Sequence, residues 1–468
     1  MTLIEQFAQW SSRLRFDTLP PTVVEAARLC LIDYIGVALR ADDFGTESTR
    51  AGSAQIMAFL RAGDSGGDVM VLGREQRLAV GAAALMNAYQ GQSTSLDDTA
   101  LRSMSHPGCA VIPAVLACAQ GSNAAGADTI AAVVAGYEAM IRVGRAIMPS
   151  HAKRGFHVTA TTAPFGAAAA AARMMRLNAA DTVAALSIAG DLGAGLQEAL
   201  FRSYAAGKLA VARGVEAGVM AAHLAADGMR GAAALLEGPE GFLRAMADVA
   251  APEHVCAGLG EAFEIEEIGF KLHSGCRHWH AAVDAIIDMR INQGVTADNV
   301  ESVHVRTYGE ALRMNIDFPP AGEQARLSTP FAIAQALLGR DLITGDLFCD
   351  TQLFRPDVQA LMRRVTHEFD PSFERRYPLE WPVALEVRTH DGRTIAMERD
   401  KPVGERGTIS AARIVDKFVF MATPWLGDDA ARRFARQMLS LETVGSMIEP
   451  LRMLARGHAT TRAQQEAA

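Results

Sequence analysis

With 468 residues, of which 50% are hydrophobic and 21% charged, the chain is long enough to form two or three domains with large cores. Its formal net charge of -8 and its pI near 5.9 argue against nucleic acid and anionic membranes as partners, because both bind basic surfaces. The first residues lack the layout of a secretory signal, and the six cysteines lack the paired CxxC spacing of a zinc site. We therefore expect a cytoplasmic protein with reduced thiols and no membrane-spanning segment.

Helical spacing of apolar residues dominates the first 265 residues. Pro20-Pro21 separates two predicted helices near the N-terminus, and Asp128 is the predicted N-cap of a helix with one apolar face. Two helices rich in alanine and glycine are also predicted, one over residues 159–177 and one beginning at Lys208 and ending before Gly228. Helices of small residues bury little area alone, so we expect them deep between other helices, where backbones pack closely.

Short alternating segments occur beyond residue 265. Apolar residues alternate in part over residues 300–307 and strictly over residues 381–387, and Asp391-Gly392 then forms a typical hairpin turn. Helical spacing returns after residue 405, and the polar tail after Arg456 is expected to fray. These patterns predict a mainly α fold, in which a large all-α helical domain (residues 1–265 and 405–468) carries an inserted smaller α+β domain (residues 266–404).

A polar loop between two predicted helices holds the densest group of chemically useful side chains. Ser95, Asp97, Asp98 and Thr99 are followed by His106, without the apolar period of a core segment. Loops carried by rigid scaffolds often hold catalytic residues, and histidine transfers protons near neutral pH. The two aspartates and the threonine are equally suited to capping the next helix, so the residues alone leave both roles open.

Five segments, including this loop, resemble the signature of the MmgE/PrpD family. They occur in family order at Asn87 to Pro113, Gly155 to Thr161, Lys208, Lys271 with Cys276 and His280, and Ala325 to Ser328. The resemblance implies an enzyme that acts without a cofactor beside the carboxylates of a small polyacid. It also implies the same two-domain arrangement and a homodimer.

The resemblance and the residue types together predict roles for eight residues. The catalytic positions are occupied by His106, His157, Lys208 and Lys271, and the substrate-binding positions by Ser95, Thr99, Cys276 and Arg277. The histidines would serve as base and acid, the lysines would stabilise negative charge on the substrate, and the arginine would form a fork for a carboxylate. Lysine occurs only at positions 153, 208, 271, 401 and 417, so its presence at two family positions is informative.

Two features of the sequence limit what the resemblance implies. Gln92 and Ser95 stand where the family has a His-x-x-Asp step, so an amide and a hydroxyl replace a titratable pair. Residues 273–280 contain three histidines and a cysteine, but their spacing matches no tetrahedral metal site. We therefore expect no metal, and we do not expect a relative's reaction to transfer directly.

A cofactor-independent hydro-lyase acting on a small di- or tricarboxylate is the leading hypothesis. Dehydration requires a base for an activated C–H, an acid for the departing oxygen and cations for the carboxylates. Decarboxylation and epimerisation of a similar polyacid need nearly the same groups. The loss of the His-x-x-Asp step also permits a catalytically silent protein that binds carboxylates, so these alternatives remain open.

The eight residues come from both predicted domains. Lys271, Cys276 and Arg277 lie just inside the inserted domain, and the others belong to the helical domain. We therefore expect the site in the cleft between the domains, with the inserted domain acting as a lid hinged near residues 265 and 405. As a surface-like cleft residue, Lys271 is expected to tolerate alanine with a change in Tm of no more than about 2 °C.

Overall fold

Helices form most of the protein, whose computed structural model describes residues 1–63 and 66–456. The mainly α class predicted from the sequence is confirmed, and the polar tail predicted to fray lies outside the described residues. In chain order the described α-helices are α1 Leu3–Ser11, α2 Pro21–Leu39, α3 Ala41–Phe44, α4 Glu47–Gly63, α5 Val80–Ser93, α6 Gly108–Ser122, α7 Gly126–Ile147, α8 Ser150–Lys153, α9 Val158–Met174, α10 Ala179–Asp191, α11 Gln197–Arg202, α12 Tyr204–Ala226, α13 Phe242–Met246, α14 His280–Gln293, α15 Gly309–Met314, α16 Thr329–Leu337, α17 Asp350–Leu353, α18 Pro356–Met362, α19 Pro371–Glu374, α20 Ala411–Leu426, α21 Asp428–Leu439 and α22 Ile448–Arg456.

Strands of the described residues form two separate sheets. They are β1 Val69–Met70, β2 Arg77–Leu78, β3 Val300–Thr307, β4 Val365–Phe369, β5 Val383–Thr389 and β6 Thr394–Arg399. The first two form a short antiparallel ribbon. The larger sheet has the order β4-β3-β5-β6, with β4 parallel to β3 and the other pairs antiparallel. The alternating segments predicted as strands correspond to β3 and β5, and the predicted Asp391-Gly392 turn joins β5 to β6.

Close contact between small residues builds the helical core. The alanine run 167–172 of α9 is at most 1% exposed and packs between α7 and α12. A Cβ added at Gly136 of α7 would lie 2.9 Å from the carbonyl oxygen of Gly166, and one at Gly218 of α12 would lie 2.6 Å from that of Pro164. Backbones at this separation leave no room for larger side chains. The deep position predicted for the alanine-rich helices is therefore confirmed for α9, and α12 packs closely against it with one face.

A second apolar cluster lies between Trp279 and Val387 and is separate from the helical core. The chain enters and leaves this region at neighbouring points, because the N–H of Phe270 donates to the carbonyl of Gly404 at 2.9 Å. Gly404 has φ 108°, and a Cβ there would lie 1.9 Å from the Phe270 carbonyl oxygen. The division at residues 265 and 405, and any movement of one part against the other, remain predictions.

Three local predictions require correction. The first 265 residues are not wholly helical, because β1 and β2 form a ribbon there. The helix α7 begins at Gly126 with Ala125 at its N-cap position, while Asp128 lies in the first turn, where its charge favours the helix dipole and pairs with arginines. The helix α12 begins at Tyr204, one turn before Lys208, because the intervening Ala-Ala-Gly segment continues the helix.

By length and composition, α12 is the one helix of the described residues that could cross a membrane. Half of its most apolar 18-residue stretch is buried inside the fold, however, and its Lys208 is only 6% exposed. Both features are typical of a core helix.

Candidate active site

One cavity brings together all eight residues predicted for the site. Its volume is about 760 Å³, including the space open to solvent, and it lies where the loop between α5 and α6 meets α9, α12 and the segment before α14. The predicted residues that line it are Ser95, Thr99, His106, His157, Lys208, Lys271, Cys276 and Arg277. The roles assigned to them individually remain predictions.

The loop between α5 and α6 is buried, in contrast to an ordinary surface loop. Ser95, Asp97 and Thr99 are each at most 4% exposed, although they lie in no helix or named strand. Ser95 has φ 52° and Met104 has φ 55°, in the left-handed region that costs a non-glycine residue about 1 kcal/mol. Both residues line the cavity. Strained backbone of this kind persists only where the surrounding structure holds it in place. Such strained residues are common at functional sites.

Asp97 faces the cationic side chains of the cavity. Its Oδ1 lies 3.4 Å from Lys271 Nζ and its Oδ2 lies 3.3 Å from His106 Nδ1. Burial alone would raise the pKa of Asp97, but Lys271, His106 and Lys208 together hold it well below its ordinary range. Asp97 is therefore a fixed negative charge that connects a base candidate to an ammonium group.

Asp98 faces away from these cations and has the opposite character. Its Oδ1 accepts from the N–H of Gly108, the first residue of α6, at 2.8 Å, and its Oδ2 accepts from Tyr137 at 2.6 Å. Burial raises the pKa of Asp98 to about 7, against the effect of these two hydrogen bonds. Of the two roles that the sequence left open, Asp98 caps the next helix, whereas Asp97 contacts two residues that line the cavity, His106 and Lys271.

His106 is held in one tautomer. Its Nδ1 lies 2.8 Å from the carbonyl oxygen of Asp98, which can only accept, so Nδ1 carries the proton and Nε2 keeps its lone pair. Burial lowers the pKa of His106 to about 4; Asp97 opposes this, and Lys271 adds to it. The ring retains 24% exposure. At neutral pH His106 is thus an uncharged imidazole suited to accepting a proton.

His157 occupies the N-cap position of α9 and is 8% exposed. Burial, followed by the charge of Lys208, lowers its pKa to about 3. Within the described parts of the chain, its Nδ1 and the hydroxyl of Thr99 are buried without a hydrogen-bond partner. A buried polar atom without a partner costs about 1–3 kcal/mol, so two such atoms on one cavity wall favour a polar ligand.

The two lysines differ in their partners. Lys271 is 3% exposed, and its Nζ donates to the Ser95 carbonyl at 3.2 Å as well as to Asp97. Burial lowers its pKa although Asp97 opposes the shift. The surface-like character predicted for Lys271 is therefore wrong. Lys208 Nζ lies 4.7 Å from the ring centroid of Tyr204 and has no carboxylate partner among the described residues.

Arg277 does not present a free fork to the cavity. Its Nε and Nη2 both donate to Glu405 Oε1, at 3.1 and 2.5 Å, and its Nη1 lies 3.0 Å from His280 Nδ1. The carboxylate that this guanidinium binds in the structure is therefore one of the protein's own, and the substrate-binding role of Arg277 remains a prediction. Beside it, burial raises the pKa of the Cys276 thiol, which favours the neutral form at pH 7.

The histidines near Arg277 point to separate partners. His273 Nε2 lies 2.9 Å from Asp284, while His278 Nδ1 lies 2.7 Å from the Tyr308 hydroxyl and its ring stacks on Trp381. Residues 1–63 and 66–456 contain no group of three or more His, Cys, Asp or Glu that could hold a metal ion. His278 and Trp381 line the cavity, and neither was predicted to do so.

Arg326 and Tyr204 are the principal lining residues that the sequence did not predict. Arg326 is 1% exposed and forms no ion pair with a carboxylate among the described residues, but its Nη1 donates to the Thr94 carbonyl at 2.7 Å and its Nη2 to the Phe44 carbonyl at 3.1 Å. Its Cζ lies 5.6 Å from the ring centroid of Tyr204, so Arg326 and Lys208 approach the same ring. Arg326 stands in the fifth segment resembling the family, which was an available signal; Tyr204 has no comparable one.

Models of known families match most of the chain. The MmgE/PrpD N-terminal domain matches residues 5–254, and the MmgE/PrpD C-terminal domain matches residues 273–443. The chain belongs to the MmgE/PrpD family. His106, His157 and Lys208 lie in the N-terminal match and Cys276 in the C-terminal one, while Lys271 lies between the two.

Curated MmgE/PrpD relatives include several cis-aconitate decarboxylases. The enzyme from Aspergillus terreus is 25% identical, over 96% of this chain and 95% of its own length. The enzymes from Mus musculus and Homo sapiens are each 24% identical, over 96% and 97% of this chain and 89% and 92% of their own lengths. The similarity thus extends over nearly the whole chain, at a level of identity that leaves much of the cavity free to differ.

Proposed function

We propose that this protein is a cofactor-independent lyase, in the first place a hydro-lyase, that acts on a small di- or tricarboxylate. The observation that carries the proposal is the neutral imidazole of His106 beside two buried cations, Lys208 and Arg326, that have no carboxylate partner among the described residues. Arg326 donates to neutral carbonyl groups, but a buried charge that no opposite charge balances is still costly, so an anionic ligand would stabilise this arrangement.

The reaction begins with proton abstraction next to a carboxylate. The C–H proton moves to Nε2 of His106, and the electron pair delocalises into the adjacent carboxylate, where Lys208 stabilises the added negative charge. Asp97 stabilises the imidazolium that forms, because it lies 3.3 Å from Nδ1. A base that is neutral at pH 7 can perform this step without first losing a proton.

The second half of the reaction expels the oxygen. The C–O bond breaks as the C=C bond forms, and the departing hydroxide takes a proton from Lys271, whose lowered pKa suits it to act as an acid. The products are an unsaturated acid and water; His106 then releases the abstracted proton to solvent, and Lys271 takes one up. The polar atoms of Thr99 and His157 that lack partners are placed to bind substrate oxygens.

Decarboxylation is the second candidate, and the curated relatives favour it. Breaking a C–COO⁻ bond releases CO2 and leaves an electron pair that the same lysines stabilise until carbon is protonated. The hydroxyl of Ser95 in place of the family's aspartate argues against assuming the relatives' reaction, because the cavity lacks one carboxylate.

The test follows a panel of di- and tricarboxylates, including cis-aconitate, by NMR in deuterated water with purified protein. A hydro-lyase produces an unsaturated acid and incorporates deuterium next to a carboxylate; a decarboxylase releases CO2; an epimerase inverts a centre without net loss. The His106→Gln variant serves as the control. Thermal stabilisation by a polyacid without exchange or turnover would indicate a silent carboxylate-binding protein. The absence of both binding and turnover with every polyacid would contradict the proposal.

A further inference from the structure

Three consecutive carbonyl groups of the buried loop each accept a hydrogen bond from a different buried cation. The pairs are Thr94 O with Arg326 Nη1 at 2.7 Å, Ser95 O with Lys271 Nζ at 3.2 Å, and Leu96 O with Lys417 Nζ at 3.0 Å. The three cations come from widely separated parts of the chain. The last of them, Lys417 on α20, does not line the cavity.

The conformation of the loop explains why its carbonyls need such partners. The left-handed φ of Ser95 turns the chain out of the helical path after α5, so neighbouring carbonyls point in different directions and cannot share a helical ladder. Buried carbonyls require donors. The Thr94 and Ser95 carbonyls also accept from Ser274 Oγ and the Gly275 N–H, whereas among the described residues the Leu96 carbonyl accepts from Lys417. The carbonyl of Leu96 belongs to the peptide group that joins it to Asp97. Holding this carbonyl therefore fixes the backbone from which the Asp97 side chain extends.

Burying Lys417 is possible because of Asp33. The Nζ of Lys417 lies 2.7 Å from Asp33 Oδ1 on α2, and the two side chains are 3% and 1% exposed. Such a pair contributes little net stability, because the loss of solvation offsets most of the attraction. We therefore looked to the loop, rather than to stability, for the role of the Lys417–Asp33 pair.

We propose that Lys417 is a positioning residue, which holds the Leu96 carbonyl so that Asp97 lies between His106 and Lys271. Asp33 is its counter-ion. The part of this inference that concerns turnover rests on the proposed function, whereas the part that concerns the geometry of the loop does not.

Two variants separate positioning from simple stability. Lys417→Met leaves Asp33 buried without a cation and lowers Tm. The double variant Asp33→Asn/Lys417→Met removes both charges and recovers most of that Tm, yet it still lacks a donor for Leu96. Lys153→Met, at an exposed lysine of α8, is the matched control.

The decisive readout is the pKa of the His106 imidazole, measured by NMR with His106→Gln to assign its signals. His106 faces Asp97, the Asp98 carbonyl, Lys271, Lys208 and His157. In the double variant we expect its pKa to move from about 4 toward the ordinary value near 6.5, by at least about one unit, because the loop loosens and hydration returns.

Turnover gives a second readout, with kcat expected to fall at least about tenfold in the double variant and KM to change less than about threefold. A double variant with the His106 pKa of the unmodified protein would overturn the proposal, and so would one that does not fold. If no polyacid is turned over even by the unmodified protein, the proposed function fails while the NMR titration still decides the role of Lys417.

Discussion

If His106 is the base of the proposed reaction, its ionisation determines how the rate falls at acid pH. Because burial lowers its pKa to about 4, the ring stays neutral well below the pH at which an ordinary histidine becomes charged. We therefore expect kcat/KM to remain level as the pH falls to about 5 and to decrease only near pH 4. His106→Gln should reduce kcat by about 10² to 10⁴-fold. A pH–rate profile that breaks near pH 6.5 would contradict this assignment.

The neighbouring aspartates should respond oppositely to amide substitution. Burial raises the pKa of Asp98 to about 7, whereas an unfolded chain has a value near 3.9, so between these values the folded form binds more protons. Asp98 thus makes stability fall as pH rises from about 4 to 7. Asp98→Asn should flatten Tm across that window and leave activity within about threefold. Asp97→Asn should instead abolish most turnover, since His106 and Lys271 lose their shared carboxylate.

For Lys271 the structure changes the expected effect of alanine. Removing the ammonium leaves Asp97 buried without its nearest cation, and breaking a buried pair typically costs about 3–5 kcal/mol. Lys271→Ala should therefore lower Tm by more than about 2 °C as well as weaken turnover. Combining it with Asp97→Asn should restore part of the Tm but none of the activity, as measured by calorimetry and by the substrate panel.

Among the connecting elements, the junction of Phe270 with Gly404 allows a matched pair of substitutions. Gly404 and Gly407 both have positive φ, at 108° and 81°, so alanine costs about 1 kcal/mol of backbone strain at either position. Only at Gly404 would the new Cβ also meet a carbonyl oxygen, 1.9 Å away, while the space around Gly407 is open. We expect Gly404→Ala to lower Tm clearly more than Gly407→Ala. Equal effects would show that the junction yields easily.

At the scale of the whole molecule, we propose that the region between residues 265 and 405 closes over the cavity. Lys271 approaches the cavity from this region and His106 from the helical core, so a ligand that binds both ties the two together. A bound polycarboxylate should therefore slow hydrogen exchange of the amides around residues 268–271 and 402–406. His106→Gln, which we expect to bind the ligand with little turnover, is the suitable protein for this measurement. Unchanged exchange at saturating ligand would contradict closure.

Sequence patterns predicted the mainly α class and eight of the 22 described residues that line the cavity. The alanine-rich helices, β3 and β5 follow from local periodicity, and the eight cavity residues follow from motifs. The contacts that the sequence did not predict are long-range ones: the ion pair of Arg277 with Glu405, 128 positions away, has no local sequence pattern that would indicate it. The scarcity of lysine also pointed to the site. Of the five lysines, Lys271 and Lys417 donate to carbonyls of the buried loop, and Lys208 lines the same cavity as Ser95.

The hydrogen bond from Lys417 to the Leu96 carbonyl also determines when the site is completed during synthesis of the chain. Every residue that lines the cavity lies between positions 95 and 381, so a growing chain that has just reached residue 400 already contains the whole set. Its Leu96 carbonyl and Asp33 still lack their cation, because α20 has not been synthesised. We expect chemistry to begin only after α20 docks on α2, so that a ribosome-bound or C-terminally clipped chain does not consume its substrate.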